Sequence, residues 1–201
     1  MTRHLDLGCG PVPRNPYGRD ELHAIDIMAP EGADASRFRT ANLSLQPIPH
    51  NDSSFDSVSA FDFIEHVPRV LSAPGGQDTL FPFIRLMDEI WRVLVPGGRF
   101  YALTPAFPSE AAFGDPTHVN VITEHTHRYF CGEQPLGRMY GFRGNFMALR
   151  VEWALLPEAF SATQALSWQR ALRRFIRRQR GRLSHLVWEL EAVKPATAVK
   201  A

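Results

Sequence analysis

The residues best suited to chemistry lie near the start of the chain, around a turn with two glycines. The turn is Asp6-Leu7-Gly8-Cys9-Gly10, and a second carboxylate, Asp26, follows in Ala24-Ile25-Asp26-Ile27. Glycine lets the backbone turn sharply and approach a ligand closely, and a carboxylate at the end of the next strand can accept two hydrogen bonds from a ribose diol. The pattern therefore predicts a nucleoside site at the carboxyl edge of a parallel sheet.

The residues after the turn weigh against a dinucleotide. Its fingerprint needs a third glycine three residues after the second, where this chain has Pro13. A pyrophosphate would be poorly held, which disfavours a nicotinamide oxidoreductase. Prolines at 11, 13 and 16 also remove backbone donors, so the helix that usually joins the first two strands is predicted to be one turn or absent.

Hydrophobic patterning predicts alternating strands and helices, an α/β chain whose strands form a parallel sheet. Strands are expected near 5–7, 22–27, 37–42, 56–61, 99–104, 146–155 and 184–193. Helical segments are expected near 63–71, 80–94 and 162–180, with an exposed loop at 72–77 and a polar, histidine-rich loop after residue 105. A single domain over 1–195 follows, with a cofactor half (1–105), a substrate-side half (106–195) and a flexible tail (196–201).

Composition excludes several classes of protein. A net charge of +1 gives no strong signal for nucleic-acid binding, and two cysteines, Cys9 and Cys131, make no disulfide framework. Without an apolar leader or a membrane span, a soluble cytoplasmic protein is the expectation.

Further motifs follow the glycine turn in a fixed order. They are Asn42-Leu43, Pro47-Ile48-Pro49, Ser54-Phe55-Asp56-Ser57-Val58, Phe63-Ile64-Glu65-His66-Val67 and Arg92-Val93-Leu94-Val95-Pro96-Gly97-Gly98-Arg99-Phe100. Over residues 4–105 this set resembles the class I S-adenosylmethionine-dependent methyltransferases, particularly small bacterial members with a shortened first crossover. The resemblance implies a Rossmann-like, seven-stranded, mostly parallel sheet with an antiparallel last strand. It also implies S-adenosylmethionine as cofactor.

The resemblance also implies a set of cofactor-binding residues. Asp6, Gly8 and Gly10 would line the methionine end, Asp26 would hold the ribose, and Asn42 with Leu43 would flank the adenine. Asn42 departs from the aspartate frequent in the family, but its amide oxygen can still accept a hydrogen bond from the adenine amino group. Ile27 and Phe61 complete the set, although Phe61 fits a core position equally well.

Candidate catalytic residues lie in a second loop. Methyl transfer to a hydroxyl or an ammonium needs a group that takes up a proton, and it needs no metal. In Gly114-Asp115-Pro116-Thr117-His118, the leading general base is His118, with Asp115 to orient it. His66 is the second candidate, although Glu65-His66 also fits a pair that only stabilises its loop. A zinc site of His118, His125, His127 and Cys131 is the weaker alternative, because the spacing matches no compact zinc signature.

The predicted helix 162–180 is strongly basic. Ala165, Trp168, Leu172, Phe175 and Ile176 fall on one face, which is expected to pack, and Arg170, Arg173, Arg174, Arg177 and Arg178 fall on the opposite one. A solvated charged face is the commoner explanation of such a pattern. Arginine forks also suit phosphate oxygens, which favours an anionic acceptor such as a phosphorylated or lipid-linked sugar, or peripheral contact with an anionic membrane.

The sequence thus predicts methyl transfer to an oxygen or nitrogen of a small acceptor. The alternative is a non-catalytic scaffold or sensor of the same fold that keeps the cofactor pocket.

Overall fold

The computed structural model describes residues 1–163 and 167–195. Its nine strands are β1 (Arg3–Leu7), β2 (Glu21–Asp26), β3 (Phe38–Thr40), β4 (Phe55–Phe61), β5 (Leu71–Ser72), β6 (Thr79–Leu80), β7 (Leu94–Pro105), β8 (Phe146–Ala154) and β9 (His185–Ala192). Seven of them form one sheet in the order β3-β2-β1-β4-β7-β9-β8, and β5 pairs with β6 in a separate hairpin. The last strand, β9, is antiparallel to both neighbours, which confirms the predicted sheet.

Within the described residues, two α-helices accompany the sheet, α1 (Pro82–Val93) and α2 (Trp168–Gln179). Short 3-10 turns occur at Ile64–His66, Glu110–Ala112, Thr126–Tyr129, Leu136–Tyr140 and Leu156–Phe160. As its periodicity predicts, α1 buries an apolar face that includes Phe83, Met87 and Ile90. Among the described residues, no helix is both long and apolar enough to cross a membrane.

One local prediction in the middle of the chain is wrong. The expected helix at 63–71 is only the Ile64–His66 turn, because Pro68 holds the preceding residue Val67 in an extended conformation, with ψ of 117°. The expected exposed loop at 72–77 is confirmed apart from Ser72, which belongs to β5, and the loop forms the tip of the β5–β6 hairpin, in which Leu71 pairs with Leu80.

The second helix differs most from its prediction. It begins at Trp168 rather than 162, and Ala165 of the predicted apolar face and the tail 196–201 lie outside the described residues. The apolar face does not pack, since Trp168 is 74% exposed and Phe175 is 59% exposed. Instead, three arginines contact acids of the domain: Arg170 pairs with Glu158, Arg174 with Glu152 and Arg178 with Glu124. Periodicity defines the faces of a helix but does not show which face contacts the rest of the domain. Here the acids that determine the contacting face are not part of the helix, so the helix sequence alone does not reveal it.

No helix joins β1 to β2, as the prolines predict. Side chains of the domain hold this loop instead. The Asp6 carboxylate accepts a hydrogen bond from the backbone N–H of Arg14 at 2.8 Å, and the Tyr17 hydroxyl donates to Glu189 at 2.9 Å. The loop is therefore tied to the sheet at two points.

A line of buried hydrogen bonds continues from Asp6 into the sheet. The Ser59 hydroxyl donates to Asp6 Oδ1 at 2.5 Å, and the His4 ring lies 2.8 Å from both the Ser59 and the Ser57 hydroxyls. Because Ser59 donates to Asp6, it accepts from His4 Nε2, so the neutral His4 Nδ1 accepts from Ser57. Burial lowers the pKa of His4 to about 3, which keeps the ring neutral, and raises the pKa of Asp6 to about 6.

We expect His4 to make the fold sensitive to acid. Unfolded histidine takes up a proton near pH 6.5, whereas folded His4 resists protonation down to about pH 3. Its contribution to stability is therefore present above about pH 6.5 and lost as the pH falls towards 3. Between about pH 7.5 and 5, the free energy of unfolding should fall by about 2 kcal/mol less in His4→Gln than in the wild type. Denaturant titration at the two pH values measures this. The exposed control His125→Gln should behave as wild type, and an unchanged pH dependence in His4→Gln would contradict the assignment.

Candidate active site

A cavity of about 360 Å³ opens at the carboxyl edge of the sheet. That volume lies in the range of small-molecule sites. Residues at the end of β2 and just after β1, β2, β3 and β4 line it: Gly8, Ile25, Asp26, Ile27, Ala41, Asn42, Leu43, Ser44, Asp62, Phe63, His66 and Val67. Five of the eight residues predicted to bind the cofactor are among them, namely Gly8, Asp26, Ile27, Asn42 and Leu43.

Asp26 joins the glycine turn to the end of β2. Its Oδ2 accepts from the backbone N–H of Gly10 at 2.8 Å, and its Oδ1 accepts from that of Ile27 at 2.6 Å. Oδ1 also accepts from the backbone N–H of Met28 at 3.4 Å, whereas Oδ2 has one donor and retains capacity towards the cavity.

The two glycines are required for different reasons. Gly8 has a φ of +61°, and a Cβ there would lie 2.3 Å from the Phe63 ring. Gly10 has a φ of +58°, but a Cβ there would meet nothing within 4 Å. Gly8 is thus needed for backbone conformation and packing, whereas Gly10 is needed for conformation and faces open space.

Three predicted cofactor residues are not among the residues that line the cavity: Gly10, which faces open space, Asp6 and Phe61. The Asp6 carboxylate is buried and points to Ser59 and to the backbone of Arg14, so it positions the loop. Phe61 packs in a core cluster with Tyr101, and the Arg14 guanidinium lies 4.9 Å from the centre of its ring.

The predicted catalytic residues do come together. The backbone N–H groups of Val119 and Asn120 donate to the carbonyl oxygen of Glu65 at 3.0 and 2.9 Å, which docks the loop after β7 on the turn after β4. His118 thereby meets His66 edge to face, with ring centroids 4.7 Å apart. Because His66 also lines the cavity, both histidines are next to the predicted cofactor site.

Asp115 acts on His66 through Thr117. The Thr117 hydroxyl donates to Asp115 Oδ1 at 2.7 Å and therefore accepts from His66 Nδ1 at 2.9 Å. This arrangement leaves the lone pair on His66 Nε2 free. Asp115 Oδ2 lies 4.0 Å from His118 Nε2, within ion-pair range but too far for a hydrogen bond, so Asp115 acts on His118 through its charge.

Glu65 is a candidate functional residue, whereas its local sequence indicates only a loop-stabilising pair with His66. The residue is 1% exposed, and its Oε2 accepts from the Thr104 hydroxyl at 3.0 Å. Its Oε1 has no hydrogen-bond partner among the described residues and lies 4.0 Å from His118 Nε2. Burial raises the pKa of Glu65 to about 8, so the carboxyl group holds its proton at neutral pH. The burial depends on the loop after β7, which nothing in the local sequence around Glu65 reveals.

Asp62 is a second residue of this kind. It lines the cavity with a φ of +49°, a conformation uncommon outside glycine and enriched at functional sites. Its carboxylate pairs with His185 Nε2 at 3.1 Å.

Within the described residues, one group could hold a metal ion. The ligand atoms of Glu65, His66 and His118 all lie within 4.8 Å of one another, and a carboxylate with two imidazoles suits zinc or iron. The weaker zinc alternative is wrong, because His118 does not group with His125, His127 or Cys131 in the part of the chain that the structure describes.

The chain resembles known proteins in sequence and in fold. Residues 5–102 match the family model for a methyltransferase domain. No curated protein sequence matches the chain.

Several solved structures share the fold over nearly the whole chain. An S-adenosylmethionine-dependent methyltransferase from Archaeoglobus fulgidus is 15% identical, with 96% of this chain and 86% of that chain covered and a TM-score of 0.54. The geranyl diphosphate C-methyltransferase of Streptomyces coelicolor A3(2), in complex with Mg²⁺, geranyl diphosphate and S-adenosyl-L-homocysteine, is 14% identical over 96% and 72% of the two chains, with a TM-score of 0.54. At these identities the likeness concerns the fold. Residues 5–102 are therefore a methyltransferase domain on a class I fold, with S-adenosylmethionine as its cofactor.

Proposed function

We propose that the protein methylates an oxygen or nitrogen atom of a small acceptor held between the cofactor cavity and the Glu65, His66 and His118 side chains. One observation carries this proposal. His66 lines the cavity and its ring contacts His118, so proton-accepting groups adjoin the place where the cofactor is expected.

The residues around the cavity fit S-adenosylmethionine. The free acceptor capacity of Asp26 suits the ribose diol, Asn42 and Leu43 suit the adenine, and the open space at Gly10 suits a ligand that approaches the backbone. When bound, the cofactor supplies a methyl group whose bond to sulfur breaks as its bond to the acceptor atom forms.

His118 is proposed to take the proton that an acceptor hydroxyl or ammonium must lose. Its Nε2 lies 4.0 Å from one oxygen of Glu65 and 4.0 Å from one of Asp115. Asp115 is ionised at neutral pH, since its hydrogen bonds with Thr117 lower its pKa. Its charge stabilises the imidazolium that forms, and that imidazolium in turn favours ionisation of Glu65.

The acceptor is proposed to be small, with an apolar body and an anionic group. A cavity of about 450 Å³ lies beside the catalytic loop, and Arg69, one of its lining residues, donates to Asn120 of that loop at 2.6 Å. Five aromatic rings also line this cavity: Phe81, Phe83, Tyr129, Phe130 and Tyr140. A guanidinium beside aromatic rings suits an acceptor of this chemistry.

Asp26→Ala is expected to weaken cofactor binding at least tenfold. Hydrogen bonds to a charged group are worth about 1.5 to 3 kcal/mol, and this change removes those to the ribose. Titration calorimetry with S-adenosylmethionine measures the affinity, and circular dichroism confirms the fold. Glu133→Ala, at an exposed acid, is the matched control. Wild-type affinity in Asp26→Ala would remove this residue from the site.

Loss of the proposed base should slow turnover without weakening cofactor binding. His118→Ala is expected to lower kcat by about 100-fold or more, because general base catalysis contributes about that much. Conversion of the cofactor to S-adenosyl-L-homocysteine, followed with a panel of small anionic acceptors, gives the rate. Glu133→Ala, at an exposed residue, serves as control. If His118→Ala turns over normally, or if a chelator abolishes wild-type activity, the base assignment fails.

Glu65 should make the protein less stable in alkali. Its folded pKa of about 8 lies above the usual 4.5, so its contribution to stability is fully present below about pH 4.5 and lost as the pH rises to about 8. Between about pH 5 and 8, the free energy of unfolding of the wild type should fall by about 3 kcal/mol more than that of Glu65→Gln, which stays neutral. Denaturant unfolding at both pH values tests this. Equal changes in the two proteins would show that Glu65 ionises as an ordinary carboxylate.

A further inference from the structure

Helix α2 presents an uncovered apolar stripe. Trp168, Leu172, Phe175 and Ile176 are 74%, 50%, 59% and 41% exposed, and the helix has no buried residue. At 3.6 residues per turn these four side chains fall within one arc of the helix. An amphipathic helix of a compact domain normally buries its apolar arc, so we expect this arc to contact another molecule.

The domain holds α2 by a different side. The guanidinium groups of Arg174 and Arg178 reach Glu152 and Glu124 at 2.5 and 3.0 Å, and Arg170 lies 3.5 Å from Glu158. The helical period places Arg170 and Arg174 roughly opposite the stripe and Arg178 on its flank, next to Phe175. The ion pairs therefore fix the helix with its apolar arc outwards.

Other arginines border the stripe and form no ion pair within the described ranges. Arg173, Arg177 and Arg180 line one surface depression together with Leu172 and Ile176. Residues 167–182 contain seven arginines and neither aspartate nor glutamate. The outward surface of α2 therefore combines apolar side chains with uncompensated positive charge.

We propose that α2 binds the surface of an anionic lipid bilayer. Trp168, Leu172 and Ile176 would enter the boundary between headgroups and acyl chains. The guanidinium groups of Arg173 and Arg177 would meet lipid phosphates while their methylene stems cover apolar surface. A helix with an arginine-rich face and a Trp, Phe and Leu face has the composition of interfacial helices.

The charge of this surface favours an anionic bilayer over two other partners, a second copy of the chain and an RNA. A second copy of the chain would bring the same row of arginines towards itself, so like charges would meet. An RNA would neutralise the arginines but leave the apolar stripe in water. An anionic bilayer satisfies both parts of the surface.

The position of α2 suits a role in delivering the acceptor. Glu152 of β8, which pairs with Arg174, lies in register with Val187, and Val187 is in register with Leu103 near the carboxyl end of β7. The catalytic loop leaves the sheet at that same edge. A bilayer at α2 would thus lie on the side where a lipid-linked acceptor enters. This consequence rests on the proposed function, whereas the proposal that α2 binds a membrane does not.

Flotation with lipid vesicles tests the proposal on the full chain without cofactor. The wild type should bind vesicles that contain about 30% phosphatidylglycerol in phosphatidylcholine, should not bind pure phosphatidylcholine measurably, and should dissociate as salt is raised. Each arginine near the surface contributes about 1 kcal/mol, so the triple variant Arg173→Gln, Arg177→Gln, Arg180→Gln should bind about 100-fold more weakly. The matched control Arg37→Gln, Arg128→Gln, Arg138→Gln removes the same charge elsewhere on the exposed surface and should bind as wild type.

Apolar insertion has its own test. Leu172→Gln with Ile176→Gln keeps every arginine and should weaken vesicle binding at least tenfold, with the fold checked by circular dichroism. Absence of wild-type binding, or equal losses in the two triple variants, would overturn the proposal. So would binding of single-stranded RNA but not of vesicles, or a dimer in sedimentation that the double variant dissociates while vesicles are ignored. Because no cofactor or acceptor is present, a failure of the proposed methyl transfer leaves these results unaffected.

Discussion

The structure depends on one buried line of hydrogen bonds, from Ser57 through His4 and Ser59 to Asp6. A buried polar group without a partner costs about 1 to 3 kcal/mol, so each member of this line needs the next. Its last acceptor bond reaches the backbone of Arg14 and holds the loop that replaces the first crossover helix. The Asp6 carboxylate therefore positions this loop, which a packed helix would otherwise do.

At the same edge of the sheet, backbone hydrogen bonds bring together the rest of the site. The carbonyl oxygen of Glu65 receives two N–H groups from the loop after β7, and this brings His118 against His66. The contact also closes over the Glu65 side chain, whose second oxygen is held by Thr104. Docking of one loop thus creates both the pair of histidines and the low-dielectric surroundings that keep Glu65 protonated.

Local sequence patterns predicted the parts of the molecule that local forces determine. The glycine turn, Asp26 at the end of β2, the proline loop and the apolar face of α1 follow from backbone conformation and periodicity. The role of Glu65 was not predictable, because its burial depends on contacts with residues at least 39 positions away along the chain, such as Thr104. The exposed stripe of α2 was missed for a related reason. Its arc was recognised, but the acids that turn it outwards come from Glu124, Glu152 and Glu158.

The cofactor cavity and the Glu65, His66 and His118 side chains are proposed to form one site, and a crystal structure with S-adenosyl-L-homocysteine tests this. We expect the ribose on the Asp26 carboxylate, the adenine beside Leu43, and the sulfur facing the space next to His66 and His118. A bound molecule whose sulfur opens onto another surface, with His118 on the far side of the adenosine, would show that the cavity and the histidines are separate sites.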